Sequence, residues 1–62
     1  MTYQIIYYGS INMAGLPVNT SGTQDQAIQI ARDDMNVHQT WADRFEIYDS
    51  SGNLVFQEAR QP

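Results

Sequence analysis

The chain contains no cysteine and no lysine, and no charged side chain occurs before Asp25. Without cysteine there is no disulfide and no thiolate chemistry, a pattern that fits a reducing compartment. Without lysine there is no amine nucleophile, and three arginines are the whole permanently cationic set. One histidine, His38, is too few nitrogen ligands for a structural zinc. Glycine is scarce and scattered, at Gly9, Gly15, Gly22 and Gly52, which excludes a glycine-rich phosphate loop. No apolar run approaches transmembrane length, and the N-terminus carries no basic leader. Neither a membrane span nor a signal peptide is expected, and the cytoplasm is the expected compartment.

What remains is small and acidic. Sixty-two residues make a single domain, 1–62. A chain this short buries only about 60% of the surface that its unfolded form exposes. Such domains are usually stapled by disulfides, a metal or a partner subunit. With the first two excluded, packing and oligomerisation remain. Seven aromatic residues (Tyr3, Tyr7, Tyr8, Trp41, Phe45, Tyr48 and Phe56) can supply the packing. Hydrophobic residues make up 42% and charged residues 16%, a balance that folds.

Thr2 to Tyr8 reads as a strand, rich in β-branched and aromatic residues and ended by Gly9. Tyr3, Ile5 and Tyr7 point one way; Gln4, Ile6 and Tyr8 point the other. Both faces are fairly apolar, so an interior strand is expected. A second strand is predicted near Leu16 to Thr20, after an irregular loop containing Ile11 and Met13. Pro17 makes it an edge strand or a bulged one. A helix is predicted from Gln24 to Met35. Thr23 is the N-cap and Gln26 completes a capping box. Ala27, Ile28, Ile30, Ala31 and Met35 share the apolar arc, with Asp25, Gln29, Arg32 and Asp33 opposite. Asp43–Tyr48 and Asn53–Glu58 form a hairpin whose turn uses Asp49 and Gly52. The longer of two possible loops sets Ile47 opposite Val55. The fold class is therefore α+β: about four antiparallel strands with one amphipathic helix on one face, in the order β-β-α-β-β.

A search for chemistry returns little. His38 can pair with Asp34 at i,i+4 if the helix runs on, but a lone histidine near a helix end reads as solvent-facing. Ser21-Gly22-Thr23 reads as a helix cap before it reads as an anion site. Asp33 and Asp34 lack calcium-loop spacing, and Asp49 to Asn53 lacks the closing bidentate glutamate. No catalytic residue, metal or cofactor is expected. Direct nucleic-acid binding is disfavoured by a net charge of −4, and the tyrosines read as sheet packing.

Two surfaces have two readings each. Asp33, Asp34, Asp43, Glu46, Asp49 and Glu58 form either an ordinary solvated face or an array that docks on a basic groove. Two aspartates at a helix C-terminus are mildly unfavourable, so folding alone would not choose them. The uncharged stretch with Tyr7, Tyr8, Ile11, Met13 and Leu16 is either core strand plus loop or a neutral contact or dimer face.

The helix start Thr23 to Arg32, the segment Trp41 to Tyr48 and the tight Ser-Gly-Asn hairpin resemble small phage-encoded α/β proteins, anti-CRISPR inhibitors among them. The resemblance lies in size, charge and architecture. It implies a non-enzymatic acidic inhibitor in a bacterial host, acting as a DNA mimic. Its expected partner is a CRISPR effector or another nucleic-acid-binding complex with a basic surface. The six carboxylates would contact that surface. The same element order is similar to small antitoxins of toxin–antitoxin pairs. The alternative is a homo-oligomeric assembly module or an antitoxin-like partner-binding protein. The expected state is a monomer or a small homo-oligomer, with no membrane partner.

Overall fold

The alternation of Thr2–Tyr8 builds the central strand, β1, of the computed structural model, which describes residues 1–10 and 13–60. Every second residue of β1 is buried: Tyr3, Ile5 and Tyr7. The element order continues with β2 (Val18–Ser21), α1 (Gln24–Val37), β3 (Arg44–Tyr48) and β4 (Leu54–Ala59). The strands form one antiparallel sheet in the order β2-β1-β3-β4. The α+β class and the interior position of β1 match the sequence expectation. β2 is an edge strand, as Pro17 requires, but it begins and ends one or two residues later than predicted.

The helix lies across one face. Its buried residues, Ala27, Ala31 and Met35, recur every four positions and meet Tyr3, Ile5, Tyr7, Phe45 and Ile47. Small residues at 27 and 31 let the helix approach the sheet. Ala42, just before β3, is also fully buried. Phe45 sits between Tyr7 and Phe56, with ring centroids 6.5 and 6.0 Å away. The predicted capping box is present: Thr23 Oγ1 accepts from the Gln26 N–H, and the Thr23 N–H donates to Gln26 Oε1. The helix runs two residues beyond the predicted end. Ile30 is 40% exposed, at the margin of the arc rather than in the core.

Arg60 supplies what the last helical turn lacks. No basic residue lies in that turn, but the Arg60 guanidinium donates to Met35 O at 2.8 Å and to Ala42 O at 2.9 and 3.0 Å. A cation from beyond β4 thus satisfies one carbonyl of the last helical turn and ties it to the chain just before β3.

The hairpin register differs from the prediction. Ile47 pairs with Phe56, and Tyr48 with Leu54. Val55 is the extra residue of a β-bulge, which shifts the pairing by one. Gly52 takes φ +85, and its N–H donates to Asp49 O, closing the turn as expected. Ile11 lies outside the described residues. Among the described residues, no helix is long and apolar enough to cross a membrane.

Candidate functional site

At 100° per residue, a helix that buries Ala27, Ala31 and Met35 has two distinct flanks. Arg32, Met35 and Asn36 border β4, where they line a groove with Phe45, Glu58, Ala59 and Arg60. The opposite flank carries Ile30, Asp33, Asp34, Val37 and His38, which line a shallow groove of their own. Of the helix's own charged side chains, Arg32 lies on the β4 flank and Asp33 and Asp34 on the other.

Asp34 is tied into the fold. Its Oδ2 accepts from the Tyr7 hydroxyl at 2.9 Å, and its Oδ1 lies 3.0 Å from His38 Nδ1. Burial pushes the Tyr7 phenol above its ordinary range, and the Asp34 carboxylate pushes it further. The Asp34–His38 pair anticipated from the i,i+4 spacing is formed, with His38 exposed. Beside the pair the groove is lined by Ile30, Asp33 and Val37. Asp33 differs from its neighbour. It is exposed, and its carboxylate accepts from Gln29 Nε2 at 3.3 Å, one turn earlier.

The remaining four carboxylates are dispersed. Glu58 takes two parallel hydrogen bonds from Arg32, at 2.7 and 2.9 Å, across the β4 flank. That guanidinium holds Glu58 below the usual carboxylate range, and Glu58 raises Arg32 in turn. Asp49 closes the β3–β4 turn, accepting from the Ser51 and Asn53 N–H groups at 2.9 Å each. The Asn53 N–H leads the causes that lower Asp49. These side-chain bonds make this an Asx-type turn, a detail beyond the Asp49–Gly52 turn expected from the sequence. Asp43 is exposed just before β3; its backbone bonds to Tyr8 O and to the Arg60 N–H.

Glu46 lies on the sheet face that no helix covers, on the side of β1 that carries Gln4, Ile6 and Tyr8. It accepts from the Tyr48 hydroxyl at 2.6 Å and from Arg44 Nη1 at 2.8 Å. Arg44 also stacks 4.1 Å from the Tyr8 ring centroid. The Tyr48 bond leads the causes that lower Glu46, and Glu46 pushes Tyr48 up to about 12. Tyr8 is raised as well, by burial first and then by Glu46. The four side chains form one polar cluster. The six carboxylates singled out from the sequence thus occupy five separate places, and only Asp33 and Asp34 share a groove.

The helix N-terminus is filled by its own cap. The Thr23 N–H and the Gln26 N–H serve the capping box, and the Gly22 N–H donates to Met1 O. Among the described residues, no cluster of three or more His, Cys, Asp or Glu side chains is placed to hold a metal ion.

Sequence reasoning marked the uncharged stretch as a possible contact face but missed Trp41, which completes it. The Trp41 indole lies across Gly9 and Gly15. A Cβ at Gly15 would come within 2.9 Å of the ring and one at Gly9 within 3.3 Å. Glycine at both positions therefore makes room for the indole. The loop beneath is fixed by Gly9 N–H to Met13 O (2.9 Å) and Gly15 N–H to Tyr7 O (2.8 Å). Trp41 Nε1 donates to Gln39 Oε1 at 2.8 Å. Gly9, Ser10, Met13, Ala14, Gly15 and Trp41 line an uncharged groove. Of the neutral stretch read from the sequence, Tyr7 belongs to the core and Tyr8 to the polar cluster. Met13 and Leu16 are exposed. Trp41 lies 26 residues from Gly15, a separation at which sequence spacing carries no cue to the contact. No protein-family model, curated protein or solved structure matches this chain.

Proposed function

We propose that this chain is a non-enzymatic binding protein that docks carboxylates on a basic surface of a nucleic-acid-handling complex. On this reading it is a cytoplasmic inhibitor of a bacterial defence complex, of the anti-CRISPR kind that its sequence resembles. One observation carries the reading: all three arginines are engaged inside the fold. Arg32 pairs with Glu58, Arg44 with Glu46 and Tyr8, and Arg60 with the Met35 and Ala42 carbonyls. Asp25, Asp33 and Asp43 have no ion pair among the described residues. The field that a partner meets is therefore negative, which favours encounter with a basic groove and disfavours nucleic acid itself.

The contact is centred on the helix flank with Asp33 and Asp34, where Ile30 and Val37 offer apolar contact beside the carboxylates. Asp43 adds a second point of charge. Glu46, Asp49 and Glu58 act chiefly within the fold and contribute to the field at longer range.

The test is a pull-down of the tagged protein from lysate of a CRISPR-bearing bacterium, at low and at moderate salt, read by mass spectrometry. Recovery of a CRISPR effector or another DNA- or RNA-binding complex is expected, falling steeply with salt. The Asp33→Lys, Asp43→Lys double variant should fold and lose the complex. Recovery indifferent to salt and to both reversals would overturn the electrostatic reading.

A further inference from the structure

We infer that the uncharged face built from Trp41, the loop residues 13–17 and the β2 edge is the docking surface for a second copy of this chain. The inference is independent of the acidic docking proposed above. Three observations lead to it.

The first is exposure of large apolar groups in one stretch. Leu16 is 89% exposed, Met13 62% and Trp41 46%. The indole is backed by Gly9 and Gly15 and tethered by Gln39, so this apolar surface is already ordered before anything binds it. Tryptophan and methionine are enriched in interface cores, and tryptophan leads among residues that dominate binding energy. A preordered anchor avoids the entropy of fixing it on association.

The second is charge. A two-fold interface sets a surface patch against its own copy, so a charged patch faces like charge. In a chain of net charge −4, most faces would oppose carboxylate to carboxylate. The stretch from Met13 to Ser21 has no charged side chain, and Trp41 extends the neutral area. This is the part of the described surface that is compatible with itself.

The third is the sheet edge. β2 is terminal in the sheet, so among the described residues one side of its backbone has no strand beside it. Edge strands are commonly blunted by charged side chains, and Val18-Asn19-Thr20-Ser21 has none. The opposite edge, β4, carries Glu58. Two β2 edges related by a two-fold axis would pair antiparallel, continuous with the Leu16–Pro17 segment. Area also requires the edge to take part. A standard interface buries about 800 Å² per partner. That is about a fifth of this chain's 4064 Å² surface, more than a groove around one indole supplies.

The experiment is sedimentation equilibrium of the full chain from about 5 to 500 µM, a range that spans the affinity of weak dimers. Trp41 emission is recorded over the same series, since it is the only tryptophan. The wild type should move from monomer to twice the monomer mass, with the emission shifting to shorter wavelength as the indole is covered. Leu16→Glu places a carboxylate on a side chain that is already solvent-exposed. It should keep the wild-type circular dichroism spectrum, remain monomeric at every concentration and show no emission shift. A wild type that stays monomeric at the top concentration overturns the inference. So does a dimer that survives Leu16→Glu with its Trp41 emission unmoved, because the contact then lies elsewhere.

Discussion

Alanine at Asp34 and alanine at Asp33 should move stability in opposite directions. Asp34→Ala removes the acceptor of the buried Tyr7 hydroxyl and the partner of His38. Losing a hydrogen bond to a charged group, with a buried hydroxyl left unpaired, costs about 1.5–3 kcal/mol. Two effects oppose this loss. Removing negative charge from a helix C-terminus returns about 0.3–1 kcal/mol. Alanine also exceeds aspartate in helix propensity by up to about 0.7 kcal/mol. The hydrogen bond wins, for a net loss of about 1 kcal/mol and a fall in Tm of about 4–8 °C in a domain this small. Asp33→Ala gives up only the exposed Gln29 contact, worth about 0.2–0.5 kcal/mol, against the same two gains. It should stabilise the fold by about 0.5–1 kcal/mol. Urea and thermal unfolding at pH 7, followed by far-ultraviolet circular dichroism, measure both. In a Tyr7→Phe background, Asp34→Ala should lose most of its cost, because the hydroxyl it served is gone. Shifts of the same sign at 33 and 34, or an undiminished cost in the Tyr7→Phe background, would refute the reasoning. A stabilising Asp33→Ala would mean that the native aspartate is kept against the interest of the fold, as a docking residue would be.

Gly52→Ala should destabilise by about 1 kcal/mol, since φ +85 is strained for any residue with a Cβ; chemical denaturation reads it. Arg60→Met keeps the alkyl stem but removes the donors to Met35 O and Ala42 O, and should cost about 1.5–3 kcal/mol in the same assay. Glu46, Asp49 and Glu58 all have lowered pKa values when folded. Their stabilisation is complete above the ordinary carboxylate range and is lost as pH falls through the folded values. Stability should therefore hold down to about pH 4 and decline below it, as an acid titration of Tm would record. Tyrosine ionisation read by ultraviolet absorbance should place Tyr48 late, at about 12, with Tyr7 silent until the fold opens. Raised phenols favour the folded state below pH 10 or so and lose that contribution as pH climbs through the folded values.

The elements were legible wherever one local rule decided them. Alternation in Thr2–Tyr8 gave β1 and its buried side, Thr23 with Gln26 gave the helix start, and Asp49 with Gly52 gave the turn. The hairpin register was not legible. Leu54, Val55 and Phe56 are all apolar, so alternation cannot mark Val55 as the bulged residue. Ile30 has the right chemistry for the core, but its position on the helix lies past the edge of the sheet contact. Long-range pairing hid the rest. Spacing offered Asp34 only His38 as a partner, because its donor Tyr7 is 27 residues away. Glu58 looked free because Arg32 lies 26 residues away. Arg60 offered no local cue to its place against the helix. Glu46 and Tyr48, two apart on one strand, form the contact that spacing alone would have revealed.

The helix is completed from both distant ends of the chain. Tyr7 precedes it and binds Asp34, while Val55, Glu58 and Arg60 follow it and bind Gln24, Arg32 and the last turn. The middle of the sheet is also a distant pair, β1 against β3. A nascent chain that has emerged only as far as Gly52 has its helix residues but none of these later partners. Isolated helices of about this length are marginal in water. Synthesis on the ribosome should therefore produce no folded intermediate, and the whole domain should condense in one step after residue 60 clears the exit tunnel.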